Sequence, residues 1–538
     1  MLKRRVWKPI AGIAFLIQLL AVAAFVYILL KVDLLPGKYL IAIYAVLALL
    51  LALTGFLLYY GLRRKRSKFR RARRIIGLVL AAIITAGCVT GCFMLDRVEK
   101  TKQTVSTVKT TARAVLGAYV LKDDAAQEPG DIANYRIGVL GKVDRLNTNY
   151  ALGELIALGG DGFELESYAS VFDAAAALRD GSVQALLVNK SYLTLLDGNE
   201  AYENFTDEVR LLGEFRVPVE ATTGNTEDFL GTLILDLEPV VTPEPTPEPT
   251  PEPDVYGEKE TLIFYLSGID NWETNDDSRT HGDVNILMAV NARTHQILLV
   301  NTPRDSFVDN VAANSYVKKG GGDKLTHCAL AGIENSEIAL ENFYGIHIDN
   351  YAQINFTGFE RLINLIGGID VDNPVAFKTE GLRRLYEFPA GPIHLDGYEA
   401  LAYARERHAF GNGDLGRGQN QMRVVAGIIE KVKSSGASMI LNYGELLDTM
   451  GDTLTTDLSS DQISDLAKLA LENLNDWEIK TYGTFGVSGL RVTAMGGVDP
   501  VAIIWVPDHS IAFTSSLFEM IEDDQLITDE YLESAPRR

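Results

Sequence analysis

Several charged residues are placed where chemistry is usually built. Asp270 closes the strand-like run Thr261–Ile269, Asp283 opens the next run, and Arg304 and Asp305 follow a third in Thr-Pro-Arg-Asp-Ser. Strand ends are where α/β domains assemble sites. Two carboxylates facing each other across a loop suit Mg²⁺. That ion takes hard oxygen ligands and often binds through one or two carboxylates plus substrate phosphates. Taken singly, each of these residues also reads as a solvated loop charge or a cap. A second group is Tyr403-Ala-Arg405-Glu-Arg407-His408. In an extended chain Arg405 and Arg407 share a face, whereas on a helix they diverge. Ten residues on, the Gly-rich stretch Gly413–Gln421 carries Arg417 and runs into an amphipathic helix with apolar Val424, Val425, Ile428, Ile429 and Val432. Helix N-termini bind phosphate through unpaired N–H groups, and guanidinium forks match phosphate oxygens. The same spacing equally suits a surface salt-bridge network. No nucleophile elbow such as GxSxG accompanies the seven histidines, and His394 reads as a helix-entry or packing residue.

The elements that must position these side chains alternate. Thr261–Ile269 is a buried strand, and Val284–Asn291 and Gln296–Thr302 form a pair joined across Asn291–His295. Lys324–Tyr344 reads as one helix, Asn350–Phe356 as a strand, and Thr357–Ile366, Gly397–Ala402 and Gln421–Ser434 as helices. This alternation predicts an α/β domain at 255–520, with helices covering a central mixed sheet. Ahead of it lies VTPEPTPEPTPEPD at 241–254. Proline at that density adopts an extended, semi-rigid form, so the stretch is an interdomain spacer. Residues 132–240 read as a small α/β unit, from strand-like Tyr135–Leu140, helix-like Val171–Asp180 and strand-like Ala185–Val188. The order of helix, glycine and buried strand resembles pieces of solute-binding domains. No reactive cluster is visible there, so the reading is structural or ligand-binding. Residues 96–131 read as a polar stalk with helical character, and 521–538 as a frayed polar tail.

Three apolar runs, Ile10–Leu30, Tyr39–Tyr60 and Ile75–Leu95, are long enough to cross a bilayer. They make residues 1–95 a membrane anchor of three transmembrane helices. Basic residues flank the first run, and RRKRSKFRRARR (Arg63–Arg74) joins the second to the third. Basic loops stay cytoplasmic, so the N-terminus reads as inside and everything after Asp96 as outside. Val89-Thr90-Gly91-Cys92 looks like a lipoprotein cleavage box, yet it sits after the third run rather than the first; small residues packing helix against helix explain it better. The first 98 residues hold 16 Lys/Arg and 2 Asp/Glu, which leaves 34 and 69 for the remainder. A part this acidic repels nucleic acid. It needs a local positive cluster or a metal to bind an anionic substrate. Three cysteines, Cys88, Cys92 and Cys328, give no zinc spacing and no disulfide framework.

The motifs as a set resemble the LytR-CpsA-Psr family. They run from Ser267-Gly-Ile-Asp270, Val284-Asn-Ile-Leu and Thr302-Pro-Arg-Asp305 through Gly321-Gly-Asp-Lys-Leu-Thr-His327, Asn355-Phe-Thr-Gly-Phe359 and Gly367-Gly-Ile-Asp370. Leu395–Arg407 and Arg417-Gly-Gln-Asn-Gln-Met-Arg423 complete the set, over Thr261 to Ile440. Three spans, an accessory domain and a Pro-rich linker resemble its capsule-associated CpsA branch. The resemblance implies transfer of a glycopolymer, capsular or teichoic, from an undecaprenyl-pyrophosphate carrier to peptidoglycan, leaving a phosphodiester. It implies Mg²⁺, or Mn²⁺ in its place, on Asp270 and Asp283, with Arg304, Arg405, Arg407, Arg417 and Gln421 gripping the pyrophosphate. The sheet and apolar helices would hold the prenyl chain. Asp270, Arg304, Arg405 and Arg407 are the catalytic candidates, and Asp270, Asp305 and Asp414 the candidate general bases. Membrane lipid and envelope-assembly proteins are the implied partners.

One departure stands out. The family reads Arg-Ser-Asp ahead of the second strand; here the residues are Arg279-Thr-His281-Gly-Asp283. Either a loop shift restores Arg279 to the pyrophosphate, or His281 takes its place with weaker, pH-sensitive binding. Two other functions fit the same residues. One is a hydrolase splitting polyprenyl pyrophosphate with water; the other is a non-catalytic envelope sensor that uses 132–240.

Overall fold

The computed structural model describes residues 4–59, 68–107, 114–141, 144–158, 162–196, 201–202, 204–217, 261–269, 281–310, 322–380, 384–410, 413–435, 453–472, 476–495 and 499–536. The Pro-rich spacer, Asp270 and Arg279 lie outside them. The chain divides into two units: Met1–Thr107 with Val432–Gly451 and Leu458–Asp476, and Val108–Lys431 with Asp452–Asp457 and Trp477–Arg538.

In the first unit, helices α1 (Arg4–Val32), α2 (Gly37–Tyr59) and α3 (Lys68–Thr107) follow the three apolar runs. Their stretches Pro9–Val32, Gly37–Tyr59 and Ala72–Gln103 are long and apolar enough to cross a membrane. Small residues let the helices approach: a methyl group on Gly91 would sit 2.6 Å from Phe25 Cε2. Gln18 Nε2 donates to Thr54 Oγ1 at 3.3 Å, a polar pair between α1 and α2. The amphipathic helix Ser460–Glu472 belongs to this unit rather than to the 255–520 domain in which its sequence position placed it. Its Ser464 Oγ accepts from the buried Lys102 ammonium of α3 at 2.8 Å, and its Lys468 pairs with Asp33 at 2.6 Å. A helical hydrophobic pattern states that a face is buried but not against what.

Among the described residues, the second unit holds two sheets of five and six strands, with four two-stranded ribbons beside them. The smaller has five strands, β1 (Ala114–Leu121), β2 (Arg136–Leu140), β3 (Glu164–Tyr168), β4 (Ala185–Asn189) and β5 (Val209–Val217), in the order β3-β2-β4-β1-β5. β2, β3 and β4 are parallel; β1 runs antiparallel to β4 and β5. The expected stalk therefore ends early. Ala114–Leu121 is an interior strand, with Leu116, Ala118 and Val120 fully buried. An apolar run of eight residues buried on both faces shows no period that separates strand from helix. Helix Val171–Asp180 is capped by Ser170 Oγ, which accepts from Asp173 N, and ends on Gly181.

The larger sheet orders β16-β11-β6-β7-β8-β17. Its strands are β6 (Thr261–Ile269), β7 (Gly282–Asn291), β8 (Gln296–Asn301), β11 (Asn350–Asn355), β16 (Leu454–Thr456) and β17 (Glu478–Gly483). Four short ribbons surround it: β9 (Phe307–Asp309) with β10 (Gly322–Lys324), β12 (Ile369–Asn373) with β15 (Gly391–Leu395), β13 (Phe377–Lys378) with β14 (Glu387–Phe388), and β18 (Val487–Arg491) with β19 (Val501–Trp505). β6, β7 and β8 form an antiparallel meander, while β11 and β17 join in parallel, so the sheet is mixed as expected. Ile263, Tyr265, Leu287, Ala289, Leu298 and Val300 alternate onto one face. There they bury against helices Ile333–Tyr344 and Asp508–Glu522 through Leu340, Tyr344, Leu517 and Phe518.

Three local readings change. The single helix expected at Lys324–Tyr344 is broken: a short turn Leu325–Cys328 and a 3-10 turn Ala329–Ala331 precede helix Ile333–Tyr344. Gly332, at φ 121°, makes the break in a conformation side chains disfavour. The polar tail is docked, with Ile527 buried and exchanging backbone hydrogen bonds with the Gln296 side chain at 2.9 and 3.0 Å. Tyr531 stacks on Phe513 at 5.3 Å. One apolar anchor of this kind is worth about 1.5–3 kcal/mol and disappears in a window of acidic residues. His394 lies on β15, exposed, with Nδ1 2.7 Å from Asp370 Oδ1, and enters no helix.

Candidate functional site

One edge of the large sheet collects several of the described residues singled out by sequence. β6 ends at Ile269, which pairs with Asn355 at the end of β11 and with Gly282 at the start of β7. β7 and β8 are antiparallel, with Ile286 opposite Asn301, so the start of β7 lies beside the segment leaving β8. Thr302 N donates to Asn285 O at 2.9 Å and carries the ladder on to that segment. Asp283 and Arg304 therefore meet: Arg304 Nη1 donates to Asp283 Oδ1 at 2.6 Å. Burial works to lower the Arg304 pKa, but the carboxylates of Asp283 and Asp305 outweigh it and hold the guanidinium above its ordinary value. Arg304 Nε is buried and, among the described residues, has no hydrogen-bond partner. A buried donor left unmade costs about 1–3 kcal/mol, and an anion placed there would satisfy it.

The third side of the site is helix Asp414–Ser435. The Gly-rich loop expected to run to Gln421 has already become helix at Asp414, so Arg417 and Gln421 project from its first two turns rather than from a loop. Small residues allowed both readings, and packing decided between them. A methyl group on Gly418 would overlap Asn301 Oδ1, so the Asn301 side chain would have to shift for this turn to keep its seat on the end of β8. Gln421 Nε2 donates to Asp283 O at 3.5 Å, and its Oε1 accepts from Asn301 Nδ2 at 3.4 Å. Arg417 is 6% exposed and ion-paired with Asp414. Burial pushes the Arg417 pKa down, with Asp414 opposing. Burial pushes the Asp414 carboxyl up, with Arg417 opposing and Asp305 adding to the rise. Asp305 itself pairs with Lys324 at 3.2 Å.

Arg405 and Arg407 separate. Helix Gly397–Arg405 ends on Arg405, and Glu406 is extended at φ −66°, ψ 130°. The helix is longer than the expected Gly397–Ala402, and neither pure geometry considered for the two arginines applies. Arg405 lies over the Phe356 ring, 4.3 Å from its centroid, just past the end of β11. Arg407 is exposed, with Nε donating to His408 Nε2 at 3.3 Å, and its charge reaches Arg417. Between them, Glu406 is a residue that sequence reasoning passed over. It is 2% exposed and accepts from His408 N (2.6 Å), Ala409 N (2.9 Å) and Glu380 N (2.7 Å). A carboxylate flanked by arginines, just past the helix end, was the available signal.

His281 packs edge-on against His327, ring centroids 5.8 Å apart. Burial first, then His327, pull its pKa down to about 4 against the opposing charge of Asp283. With no anion bound, the imidazole is therefore neutral near pH 7. Among the described residues no three His, Cys, Asp or Glu side chains form a metal-holding group. The described member of the expected metal pair, Asp283, offers the hard oxygen donors that Mg²⁺ takes.

The profile of the LytR_cpsA_psr family matches residues 243–498. A polyisoprenyl-teichoic acid–peptidoglycan teichoic acid transferase, TagU, of Enterococcus faecalis is 38% identical over 218 residues, 40% of this chain and 66% of that protein. The protein of the same name from Halalkalibacterium halodurans is 34% identical over 231 residues, 42% of this chain and 71% of its own. The chain belongs to the LytR-CpsA-Psr family. The B. subtilis TagV crystal structure aligns with 50% of this chain and 99% of its own, at 24% identity and a TM-score of 0.41. The site edge described above, from β6 through helix Asp414–Ser435, lies wholly inside the segment that matches the LytR-CpsA-Psr profile.

Proposed function

We propose that this LytR-CpsA-Psr protein transfers a glycopolymer, a teichoic acid or capsular polysaccharide, from an undecaprenyl-pyrophosphate carrier to peptidoglycan. The observation that carries the reading is the Arg304 guanidinium, held at a sheet edge beside Asp283 and the buried Arg417, with Nε facing no protein acceptor among the described residues. The names of the two TagU relatives support the same donor and acceptor classes. Phosphoryl transfer asks mainly for positioning and for neutralisation of charge on oxygens. In this reading Arg304, Arg417 and Gln421 hold the pyrophosphate, with Arg405 and Arg407 closing from the other side. Asp270 and Asp283 would hold Mg²⁺, or Mn²⁺, which supplies further neutralisation. Asp270, Asp305 or Asp414 would take the proton of the attacking sugar hydroxyl; the charges of Asp305 and Asp414 act on Arg304. The catalytic domain is read as extracellular because Arg63–Arg74 and the N-terminal basic residues favour the cytoplasm. Three spans and a folded domain ahead of the linker support the capsule-associated branch.

The test uses the full chain in lipid, given a polyprenyl-pyrophosphate oligosaccharide, peptidoglycan fragments and Mg²⁺, with Arg304→Gln as control. Sugar attached to glycan, lost with EDTA and in the variant, supports the reading. Release of sugar phosphate alone, with acceptor present, replaces it with hydrolysis; lipid binding without turnover replaces it with sensing.

A further inference from the structure

The domain at 114–217 shares its hydrophobic core with two residues of the LytR-CpsA-Psr domain. Leu330 and Met495, 0% and 3% exposed, pack with Tyr119, Leu140, Val171 and Tyr192. Both lead back to one buried carboxylate. Asp323 is fully buried and divides its two oxygens between two directions. Oδ2 accepts from Met495 N at 3.1 Å and from Asn310 Nδ2 at 3.3 Å. Oδ1 accepts from Lys324 N at 2.8 Å and lies 2.7 Å from His327 Nδ1. His327 packs edge-on against His281, two residues before Asp283, and Leu330 follows His327 by three residues. Ala494 N also donates to Gly322 O at 3.2 Å, so the segment carrying Met495 lies along the strand that carries Asp323.

We propose that Asp323 is a positioning residue that couples the seat of the 114–217 domain to the transfer site. One carboxylate oxygen fixes the backbone at Met495, the other orients His327, and His327 sets the place of His281 and the start of β7. A carboxylate removed from water is retained only with a full set of donors, and Asp323 has donors both at Met495, on which the 114–217 domain packs, and toward His327. Moving either side strands the other, so the 114–217 domain is not an independent appendage: its docking adjusts where Asp283 and Arg304 meet. As far as catalysis is concerned, this rests on the transferase reading.

The experiment compares full chains with Met495→Ala, Met495→Leu and Asp323→Asn, by backbone hydrogen exchange and by transfer from the polyprenyl-pyrophosphate oligosaccharide. In Met495→Ala, exchange is expected to quicken at 322–328 and also at 281–287, with kcat down about tenfold and KM little changed, as a sub-ångström misplacement of reacting groups produces. Met495→Leu, which refills the volume, restores both. In an Asp323→Asn background, Met495→Ala adds little further, the non-additivity of a shared path. Unchanged exchange at 281–287 in Met495→Ala, or full additivity of the two substitutions, overturns the proposal. If the wild type transfers nothing, the transferase reading falls, and the exchange comparison still decides the coupling.

Discussion

Arg304 Nη1 and Asp283 Oδ1 lie 2.6 Å apart across the ends of two antiparallel strands, and nothing local in the sequence joins them. The pair sets a cation and an anion at one point, which the proposed function assigns to a phosphate and a metal. Arg304→Gln removes the fork and leaves a half-buried carboxylate unpaired. Transfer is expected to drop about 10²–10³-fold, the usual loss for one electrostatic donor at a reacting oxyanion. Initial rates over a range of lipid-linked substrate check this, and activity within threefold of wild type would remove Arg304 from the machinery.

Gly418 is where the arginine-bearing helix meets the sheet. Gly418→Ala forces a methyl group into Asn301, on which Gln421 also leans. The expected cost is about 1–3 kcal/mol of stability, the range for overpacking, with a loss of transfer larger than the change in melting temperature accounts for. Denaturant unfolding together with kinetics on the folded variant separates the two effects.

Glu406 holds the turn from Arg405 to Arg407 by three backbone amides. Glu406→Gln keeps the volume but turns one acceptor into a donor that faces an N–H. A destabilisation of about 1–3 kcal/mol follows from the unmade bonds. KM for the lipid pyrophosphate should rise as Arg407 loses its place. A variant with normal KM and lowered stability would make Glu406 purely structural.

Glu337, on helix Ile333–Tyr344, has its pKa pushed up to about 8 by burial first, then by Asp457, Glu341 and Glu334. The folded chain keeps this proton up to about pH 8, whereas the unfolded chain releases it near the ordinary glutamate value of 4.5. Stability therefore falls as pH rises through that window. Glu337→Gln should leave the melting temperature unchanged at the acid end and raise it increasingly toward pH 8. Parallel curves for wild type and variant would show that Glu337 ionises normally.

Much of the architecture was readable before any coordinates. Length and hydropathy place α1, α2 and α3, because a bilayer span needs about 20 apolar residues and little else. Alternating strands and helices with turn residues between them place β6, β7, β8, β11 and the mixed sheet, and the charges at strand ends mark the edge where Asp283, Arg304, Arg417 and Gln421 gather. These are local properties: each depends on a window of residues and its own periodicity. Three matters belonged to the tertiary structure. Ala114–Leu121 became an interior strand, Ser460–Glu472 joined the membrane unit, and the acidic C-terminal stretch docked through Ile527. In each case an apolar face could be read but its partner could not. The same holds for Asp323, whose two oxygens divide between His327 and Met495 only because Met495, 172 residues away, folds back beside it. Burial against a distant segment is set by the whole chain's packing, and no window of sequence contains it.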